Sequence, residues 1–385
     1  MTRRIPVVLL SAMFILSLTS SAPAAKVDKV QFALEGEARG LELALGDQGI
    51  TLGLAMSRAD STPQALGVAA GQCAVLGDSP DPDNLPCNES TTEKSSSREA
   101  AGEPGGTCAS PQLPGELASV LTIEVACGSS VAELLTGKLP VTTNEGKVAE
   151  VGVGLDLSGI VPQAEDAKEQ LVDQLQEIIN QAPEQVRNAV DQLLESVDEG
   201  QGAQIILGPA SSNVTAKGST LSVKSTASGA RIGVVGIPNI DADGNPIPGT
   251  SQATEDGLII VEVGTATANA TINKVDASSD SSSTAAIVTV KVRDITKVEP
   301  TYTEISVAPG QTVTILQGTP AESTISAAAA TNKNSKGSAV AAADAVRLHL
   351  LKGVEGGLKL GLGRATAAAS GSVQPAVQPR PPTRA

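Results

Sequence analysis

Three polar residues on a short segment, Asp241, Asp243 and Asn245, are the groups in this sequence best suited to bind a cation. Calcium prefers closely spaced carboxylate and amide oxygens of this kind. The segment departs from an EF-hand loop, because Pro246 stands where that loop has its glycine and Gln252 stands where it has its last glutamate. The same residue types are typical of a turn between strands. The pattern therefore favours a turn, with a calcium site as the alternative and no other cofactor expected.

Four cysteines, Cys73, Cys87, Cys108 and Cys127, lie in one segment of the chain. The gaps between them contain none of the closely spaced cysteine pairs that zinc sites use. We therefore predict two disulfide bonds, formed in an oxidising compartment. Local closure favours Cys73–Cys87 with Cys108–Cys127, whereas a nested pairing would link the apolar stretches on either side of the intervening loop, and the sequence leaves both open.

Motifs for covalent catalysis or phosphate binding are absent from the sequence. It contains no Gly-x-Ser-x-Gly, no Ser-x-x-Lys and no Gly-x4-Gly-Lys-Ser/Thr. A Ser/His/Asp triad would need His349, the single histidine, which alternates with Leu348 and Leu350 as a solvent-facing residue of a strand does. We predict a protein that is not an enzyme, and keep as the alternative a secreted hydrolase with an acidic, aromatic-poor site.

The composition of the 385 residues excludes further classes of function. One histidine rules out a two-histidine zinc site, and a chain with no Trp, one Tyr and two Phe has no aromatic surface on which bases or sugars could stack. The formal net charge of −15 repels nucleic-acid phosphates and anionic membranes. We therefore expect no nucleic-acid partner.

The N-terminus has the three parts of a secretory signal. Arg3 and Arg4 precede an apolar run over residues 5–18, and Ala22-Pro23-Ala24 supplies a small-residue cleavage site. Cleavage after Ala24 or Ala25 would deliver a protein that is secreted, extracellular or associated with the cell wall. No later run reaches 18 apolar residues, so no transmembrane segment is expected in the mature chain.

The chain segments that position the candidate cation ligands, the cysteines and His349 are predicted to be mainly strands. Leu41, Leu43 and Leu45 alternate with other residues, and so do Ile50 and Leu52 after an intervening Gly/Asp turn, as in half-buried strands of a hairpin. The apolar alternation ends in Gly-x-Ala-Thr-Ala twice, at residues 264–268 and 363–367, which indicates a repeated hairpin. Residues 332–351 contain helix formers as well, but alternation of Leu348 and Leu350 favours a strand for the second half.

Between the β regions, apolar residues recur at steps of three and four on both sides of Pro183, which predicts a helical hairpin. The fold class is mainly β, with repeated antiparallel hairpins forming a sheet, sandwich or barrel-like domain and one α-helical hairpin insert. The predicted organisation is a signal peptide 1–25, a disulfide-containing β region 26–160 with a long polar loop 77–118, a helical hairpin 161–199, a β region 200–371 and a Pro-rich disordered tail 372–385.

The signal peptide, the four-cysteine loop, the Pro-rich tail and the hairpin ending Gly-Arg-Ala-Thr-Ala-Ala-Ala-Ser-Gly at residues 363–371 resemble secreted or cell-wall-associated proteins of actinobacteria, of the choice-of-anchor type. The sequence departs from them in lacking the anchor itself and the usual tyrosines. The resemblance implies a place at the cell envelope and an unspecified surface partner. The leading hypothesis is a secreted or envelope-associated structural or adhesive protein that displays a sheet surface, and the alternatives are the hydrolase and a calcium-dependent binding module.

Overall fold

The fold was determined as a computed structural model. It describes residues 30–45, 48–61, 64–75, 88–91, 107–109, 121–123, 126–135, 139–148, 151–153, 203–236, 255, 257–294, 301–315, 317, 322–350 and 358–373. Most of these residues lie in antiparallel β-strands, which confirms the mainly β class. None of the described residues belongs to a helix long and apolar enough to cross a membrane.

Twenty-four strands, numbered in chain order, make up the described part of the molecule. The first nine are β1 Val30–Leu45, β2 Gln48–Asp60, β3 Gln64–Val75, β4 Asn88–Thr91, β5 Thr107–Ala109, β6 Leu121–Ile123, β7 Ala126–Leu135, β8 Leu139–Val148 and β9 Val151–Val153. The next eight are β10 Ala203–Leu207, β11 Ala210–Lys217, β12 Thr220–Ala227, β13 Ala230–Gly236, β14 Gly257–Val263, β15 Ala266–Asn273, β16 Ser279–Thr284 and β17 Val288–Arg293. The last seven are β18 Tyr302–Val307, β19 Thr312–Ile315, β20 Ser323–Ser326, β21 Ala330–Ser335, β22 Ser338–Ala343, β23 Val346–Leu350 and β24 Leu358–Val373.

The strands form three sheets. Sheet 1 has the order β19-β20-β23-β24-β1-β2-β3-β4, and the hairpin β21-β22 also pairs with β24. Sheet 2 has the order β16-β15-β12-β11-β8-β7-β5, and sheet 3 the order β18-β17-β14-β13-β10-β9-β6. Strands from the predicted β regions 26–160 and 200–371 pair within each sheet, and β1 lies directly beside β24. The two regions therefore form one interleaved unit.

Sheets 2 and 3 are joined by bends in a series of long strands. β10 continues as β11 through Gly208-Pro209, β12 continues as β13 through Ser228-Gly229, and β14 continues as β15 after Gly264. The bends hydrogen-bond to one another, since Gly208 N donates to Gly229 O at 2.7 Å and Ser228 N donates to Pro209 O at 3.0 Å. Each long strand thus serves two sheets.

A line of glycines changes which residues of sheet 1 face the core. Gly53 and Gly363 have φ values of 62° and 69°, and Gly40 lies between them in β1. Positive φ is unstrained only for glycine and breaks the regular alternation of a strand. In β1 the buried residues therefore change at Gly40 from even-numbered ones, such as Ala38 at 0% exposure, to odd-numbered ones, such as Leu41 at 0%.

The core combines leucines with rows of small and β-branched residues. Sheet 1 packs on sheet 2, and the two predicted Gly-x-Ala-Thr-Ala repeats lie in β15 and β24, which face each other across this interface. The inward alanines of both repeats, together with those of β22, are almost fully buried: Ala266, Ala268, Ala270, Ala339, Ala341, Ala343, Ala365, Ala367 and Ala369. Sheet 3 contributes an apolar row across neighbouring strands: Ile205, Ile232, Val261 and Val290.

Polar side chains also occur inside the sandwich, where they bond to each other. Ser212 Oγ lies 2.7 Å from Ser57 Oγ and 3.0 Å from Ser225 Oγ, which joins sheet 1 to sheet 2. Asn144 accepts a hydrogen bond from Ser130 Oγ at 2.6 Å and donates through Nδ2 to the carbonyl of Ser212 at 2.9 Å. Because these residues are at most 2% exposed, the network links the facing strands in one register.

Several sequence predictions can be compared with these strands. Residues 332–351, which showed both helix and strand signals, contain the end of β21 and the strands β22 and β23, so the second half is a strand as predicted and the first half is also extended. The predicted polar loop 77–118 contains the short strands β4 and β5, which pair with the ends of sheets 1 and 2. The signal peptide 1–25, the helical hairpin 161–199 and tail residues 374–385 lie outside the described residues.

Candidate functional site

The outward face of sheet 2 carries a broad array of polar side chains, called here the polar face. It consists of Thr143 and Glu145 on β8, Ser211, Asn213, Thr215 and Lys217 on β11, Thr220, Ser222, Lys224 and Thr226 on β12, Thr267, Asn269, Thr271 and Asn273 on β15, and Asp280, Ser282 and Thr284 on β16. Apart from two lysines and two carboxylates, every member bears a hydroxyl or an amide. All are half-buried or exposed.

Strict alternation along each strand produces this face. In β15 the residues between the polar ones are Ala268, Ala270 and Ile272, each 0% exposed. In β11 and β12 the corresponding inward residues include Val214 at 1% and Val223 at 0%. Since successive side chains of a strand point to opposite faces, burial of the apolar set fixes the polar set toward solvent.

The strand register arranges the polar face in rows. Thr226 lies opposite Thr267, and Thr267 lies opposite Thr284, which gives three threonines side by side on adjacent strands. Neighbouring strands are about 4.8 Å apart and alternate residues of one strand about 6.8 Å apart, so the five strands from β8 to β16 span about 19 Å. The result is a two-dimensional grid of hydrogen-bonding groups.

Much of the hydrogen-bonding capacity of the grid is directed outward. Thr215 Oγ1 and Ser222 Oγ bond to each other at 2.8 Å, and Asn213 Oδ1 accepts from the backbone of the neighbouring strand at 2.9 Å. Thr226 and Thr267, in contrast, have no side-chain hydrogen bond among the described residues. Each hydroxyl supplies one donor and two acceptor lone pairs. The face therefore offers both donors and acceptors to a partner.

The charges on the polar face cancel. Lys217 and Lys224 supply two positive charges, and Glu145 and Asp280 supply two negative charges. This local balance contrasts with the formal net charge of −15 for the whole chain. The polar face therefore carries no excess of either charge.

The outer edge of the polar face is fixed by a side-chain latch between β16 and β21. Ser281 Oγ donates to Asn334 Oδ1 at 2.5 Å, and Ser283 Oγ donates to Asn332 Oδ1 at 2.7 Å. Asn334 Nδ2 also donates to Asp280 Oδ1 at 3.0 Å. The latch joins the edges of sheets 2 and 1 without a backbone ladder, so β16 is not a free edge for strand addition.

The turn between β15 and β16 is stabilised by a carboxylate. Asp276 Oδ1 accepts from Ser278 N at 2.9 Å and from Ser278 Oγ at 2.7 Å. The backbone hydrogen bond first, and then the hydroxyl, lower the pKa of Asp276 below its ordinary value of 3.8. Ala277 takes a φ of 56° in the same turn.

A cluster of four charged residues lies on the outer face of sheet 1. Arg39 Nε is 2.5 Å from Glu37 Oε1 and Arg39 Nη1 is 2.7 Å from Glu42 Oε1, while Arg364 Nη1 is 3.6 Å from the same Glu42 oxygen. Burial lowers the pKa of Arg39, but attraction to Glu37 and Glu42 outweighs it, and the pKa lies above its ordinary value. The cluster is internally paired, which indicates a structural role.

The sequence-predicted cation site is not among the described residues, since Asp241, Asp243 and Asn245 lie in the undescribed stretch 237–254. In the part of the chain that the structure describes, no group of three or more His, Cys, Asp or Glu side chains is placed to hold a metal ion. His349 lies in β23 between Thr324 and Lys359 of the neighbouring strands. It is half-buried, while Leu348 beside it is 1% exposed and faces the core.

Three of the four cysteines fall in described strands. Cys108 of β5 is the direct register partner of Cys127 of β7. Cys73 lies in β3 opposite Thr51, and Cys87 lies outside the described residues. The positions of Cys108 and Cys127 suit the locally closed pairing, because directly opposite residues of antiparallel strands have the Cα separation that a disulfide needs.

Sequence reasoning did not single out the polar face. A partial signal was present, because Thr267-x-Asn269-x-Thr271 alternates polar residues with alanine, although Ser212 interrupts the same pattern in Ser211-x-Asn213-x-Thr215. Such alternation predicts a half-exposed strand and does not say which strands are neighbours. Only the register shows that the polar residues of five strands fall into common rows.

The chain matches no protein-family model and no curated protein sequence. Among solved structures it is similar to a mutant of the TodX monoaromatic hydrocarbon channel, with 11% sequence identity, 91% of each chain covered and a TM-score of 0.13. The toluene transporter TodX of Pseudomonas putida gives 10% identity, 90% of each chain covered and a TM-score of 0.12. Similarity at this level indicates neither a shared fold nor a shared function.

Proposed function

We propose that this chain is a secreted or cell-envelope-associated adhesive protein without catalytic activity, and that the polar face is its contact surface. The observation that carries the proposal is the grid of hydroxyl and amide groups on five neighbouring strands. Such a grid gives many similar hydrogen bonds over a broad area, which suits attachment. Catalysis instead needs a few groups that converge on one reacting atom.

The other features predicted from the sequence fit this role. A signal peptide at 1–25 would export the chain, and disulfide bonds among the four cysteines would stabilise it in an oxidising compartment. The predicted helical hairpin 161–199 would extend from the β unit, and so would the part of the predicted Pro-rich tail that follows β24, residues 374–385, which would act as a spacer. A surface partner in the envelope is therefore proposed in place of a soluble substrate.

The test is fractionation of the native host into envelope and culture medium, with the intact mass of the protein measured in each fraction. The face variant carries Thr226→Val, Thr267→Val and Thr284→Val, which remove hydroxyls and keep the shape and strand propensity of the side chains. The control variant carries the same change at three exposed threonines on other strands, Thr303, Thr314 and Thr331.

We expect the wild-type chain and the control variant to remain with the envelope, and at least a fivefold larger share of the face variant in the medium. Equal retention of all three chains would show that the polar face is not the contact surface. A wild-type chain found wholly in the medium, at the mass of the cleaved and disulfide-bonded form, would overturn the adhesive role itself.

A further inference from the structure

The chemistry of the polar face indicates which class of molecule it binds. We propose that the face binds a neutral polysaccharide chain, an uncharged polymer rich in hydroxyl groups. This inference rests on the adhesive function proposed above and specifies the class of ligand. It is carried by three properties of the face, namely its charge, its hydrogen-bonding groups and its lack of aromatic side chains.

Charge favours an uncharged partner. Lys217 and Lys224 are balanced by Glu145 and Asp280, so neither a polyanion nor a polycation finds an excess of opposite charge on the polar face. The chain as a whole, at −15, repels polyanions such as teichoic-acid-type or nucleic-acid phosphates. Electrostatic complementarity mainly sets specificity, and here it favours an uncharged polymer over a polyanion.

The hydrogen-bonding groups match a polyol. A sugar hydroxyl both donates and accepts, and so do the Thr and Ser hydroxyls and the Asn amides of the face. Thr226 and Thr267 have no hydrogen bond of their own among the described side chains, so binding to them breaks no bond within the protein. Threonine is restricted at χ1, which lowers the entropy cost of ordering these groups on a partner.

The lack of aromatic residues on the polar face favours a polymeric ligand over a short oligosaccharide. Sugar-binding pockets use aromatic rings to stack on single sugar units, and the polar face contains no Trp, Tyr or Phe. Each sugar unit would therefore be held by hydrogen bonds alone, which are weak in competition with water. Affinity must come from many repeats engaged together, so the ligand is a polymer and short oligosaccharides bind poorly.

The grid supports the same conclusion through its geometry. Five neighbouring strands carry the face over about 19 Å, and the rows repeat at about 6.8 Å along the strands. The latch at Ser281 and Ser283 fixes the β16 edge of sheet 2 to sheet 1, and the buried bond between Ser212 and Ser57 fixes its central strand β11. The face is preorganised, so an extended polymer with repeating hydroxyls meets groups already in place.

The experiment is affinity electrophoresis of the purified full-length mature chain through native gels that contain dextran, mannan or arabinogalactan. Dextran sulfate serves as the matched anionic polymer, and isomaltotriose and glucose serve as short competitors. We expect at least one neutral polymer to retard the wild-type chain and the control variant, and the face variant to lose at least fivefold in retardation. Dextran sulfate should not retard the chain, and the short sugars should not compete at millimolar concentration.

The outcomes separate this inference from the proposed function. If envelope retention depends on the polar face but none of the three neutral polymers retards the chain, binding of a neutral polysaccharide is refuted and the adhesive role stands. Retardation that glucose abolishes, or that dextran sulfate produces more strongly, also refutes it. Inhibition of ice recrystallisation by the wild-type chain alone, without retardation by a polymer, would show that the regular hydroxyl grid binds ice instead.

Discussion

Gly36 lies on the inner face of β1, where the facing sheet leaves no room for a side chain. A Cβ at this position would lie 2.6 Å from Ser212 Oγ and 2.7 Å from Ser225 Oγ, and it would also overlap a methyl group of Val223. None of the three neighbours can withdraw easily. Ser212, Ser225 and Val223 are each 0% exposed, and the two serines are hydrogen-bonded to each other.

The change Gly36→Ala should therefore lower the free energy of unfolding. Adding a group to a well-packed core costs about 1–3 kcal/mol. Exchanging glycine for alanine also restricts the unfolded chain, which raises the free energy of unfolding by about 0.4–1 kcal/mol. Because three fixed atoms are overlapped at once, the cost falls in the upper part of its range, and the net loss is about 2 kcal/mol.

The measurement is urea unfolding of the wild-type and variant chains, followed by far-ultraviolet circular dichroism. With a denaturant slope of about 3 kcal/mol per molar, a loss of about 2 kcal/mol lowers the midpoint by about 0.7 M. The matched control is Gly361→Ala in the neighbouring strand β24. There the nearest atom to the new Cβ is Glu42 Oε2 at 3.2 Å, whereas Glu42 bonds to Arg39 and Arg364 through its other oxygen, Oε1. A small rotation of the carboxylate can make room, so the midpoint should change little.

A double-mutant cycle tests the reason for the loss. Val223→Ala removes the methyl group that Gly36→Ala overlaps, so the alanine at 36 should cost clearly less in that background. A coupling energy of about 1 kcal/mol between the two changes is expected for groups in direct contact. Additive effects, or an unchanged midpoint for the single variant Gly36→Ala, would refute the packing of β1 against sheet 2 as described.

Three further predictions follow from the described contacts. Arg39→Met removes the ion pair of Glu37 and leaves Glu42 with Arg364 alone at 3.6 Å, and it should cost about 2 kcal/mol. Arg58→Met removes an exposed ion pair and should cost less than about 0.5 kcal/mol, and urea midpoints will measure both. Mass spectrometry of unreduced peptides should find Cys108 bonded to Cys127; a peptide joining either residue to another cysteine contradicts this. Because the pKa of Asp276 is lowered in the fold, its carboxylate stabilises the folded chain above pH 3.8, and this stabilisation is lost as the pH falls through the lower folded pKa. Melting temperatures below pH 4 should therefore fall more steeply for the wild-type chain than for Asp276→Asn. Parallel curves would show that this turn is not coupled to unfolding.

Local patterns in the sequence were sufficient to predict several of the strands. Alternation marked β1, β2 and the strand containing His349, and the repeated Gly-x-Ala-Thr-Ala motif marked two long strands that both prove to bend or twist at the glycine. This succeeds because side-chain alternation depends only on whether one face is buried. The fold class follows from such local information.

Pairing between distant strands could not be predicted in this way. β1 lies beside β24, which is more than three hundred residues later in the chain, and this pairing is set by packing rather than by any local signal. The shift of alternation at Gly40 was equally hidden, because Arg39 and Glu42 come together on one face only after the glycine line rotates the strand. A reading with strict period two would have placed these two residues on opposite faces.

The polar face depends both on local alternation within each strand and on the pairing of distant strands, and the second of these explains why it was not predicted. Each strand shows its own polar alternation in the sequence, but a hydroxyl grid exists only if the polar sets of neighbouring strands face the same side and fall in register. Buried groups enforce that register in this protein, since the bond between Ser57 and Ser212 and the contact at Gly36 leave one alignment of sheet 1 on sheet 2.

The unusual composition then has a single physical explanation. A core without large aromatic side chains must gain its burial from the length of its strands and from close approach of its sheets, and the rows of buried alanine, such as Ala268 and Ala367, permit that approach. Long strands with small inward residues also present long, regular outward rows. Threonine fills those rows because its β-branched side chain favours the strand while its hydroxyl faces water. The same choice that stabilises an aromatic-poor sandwich therefore produces the grid through which we propose it adheres.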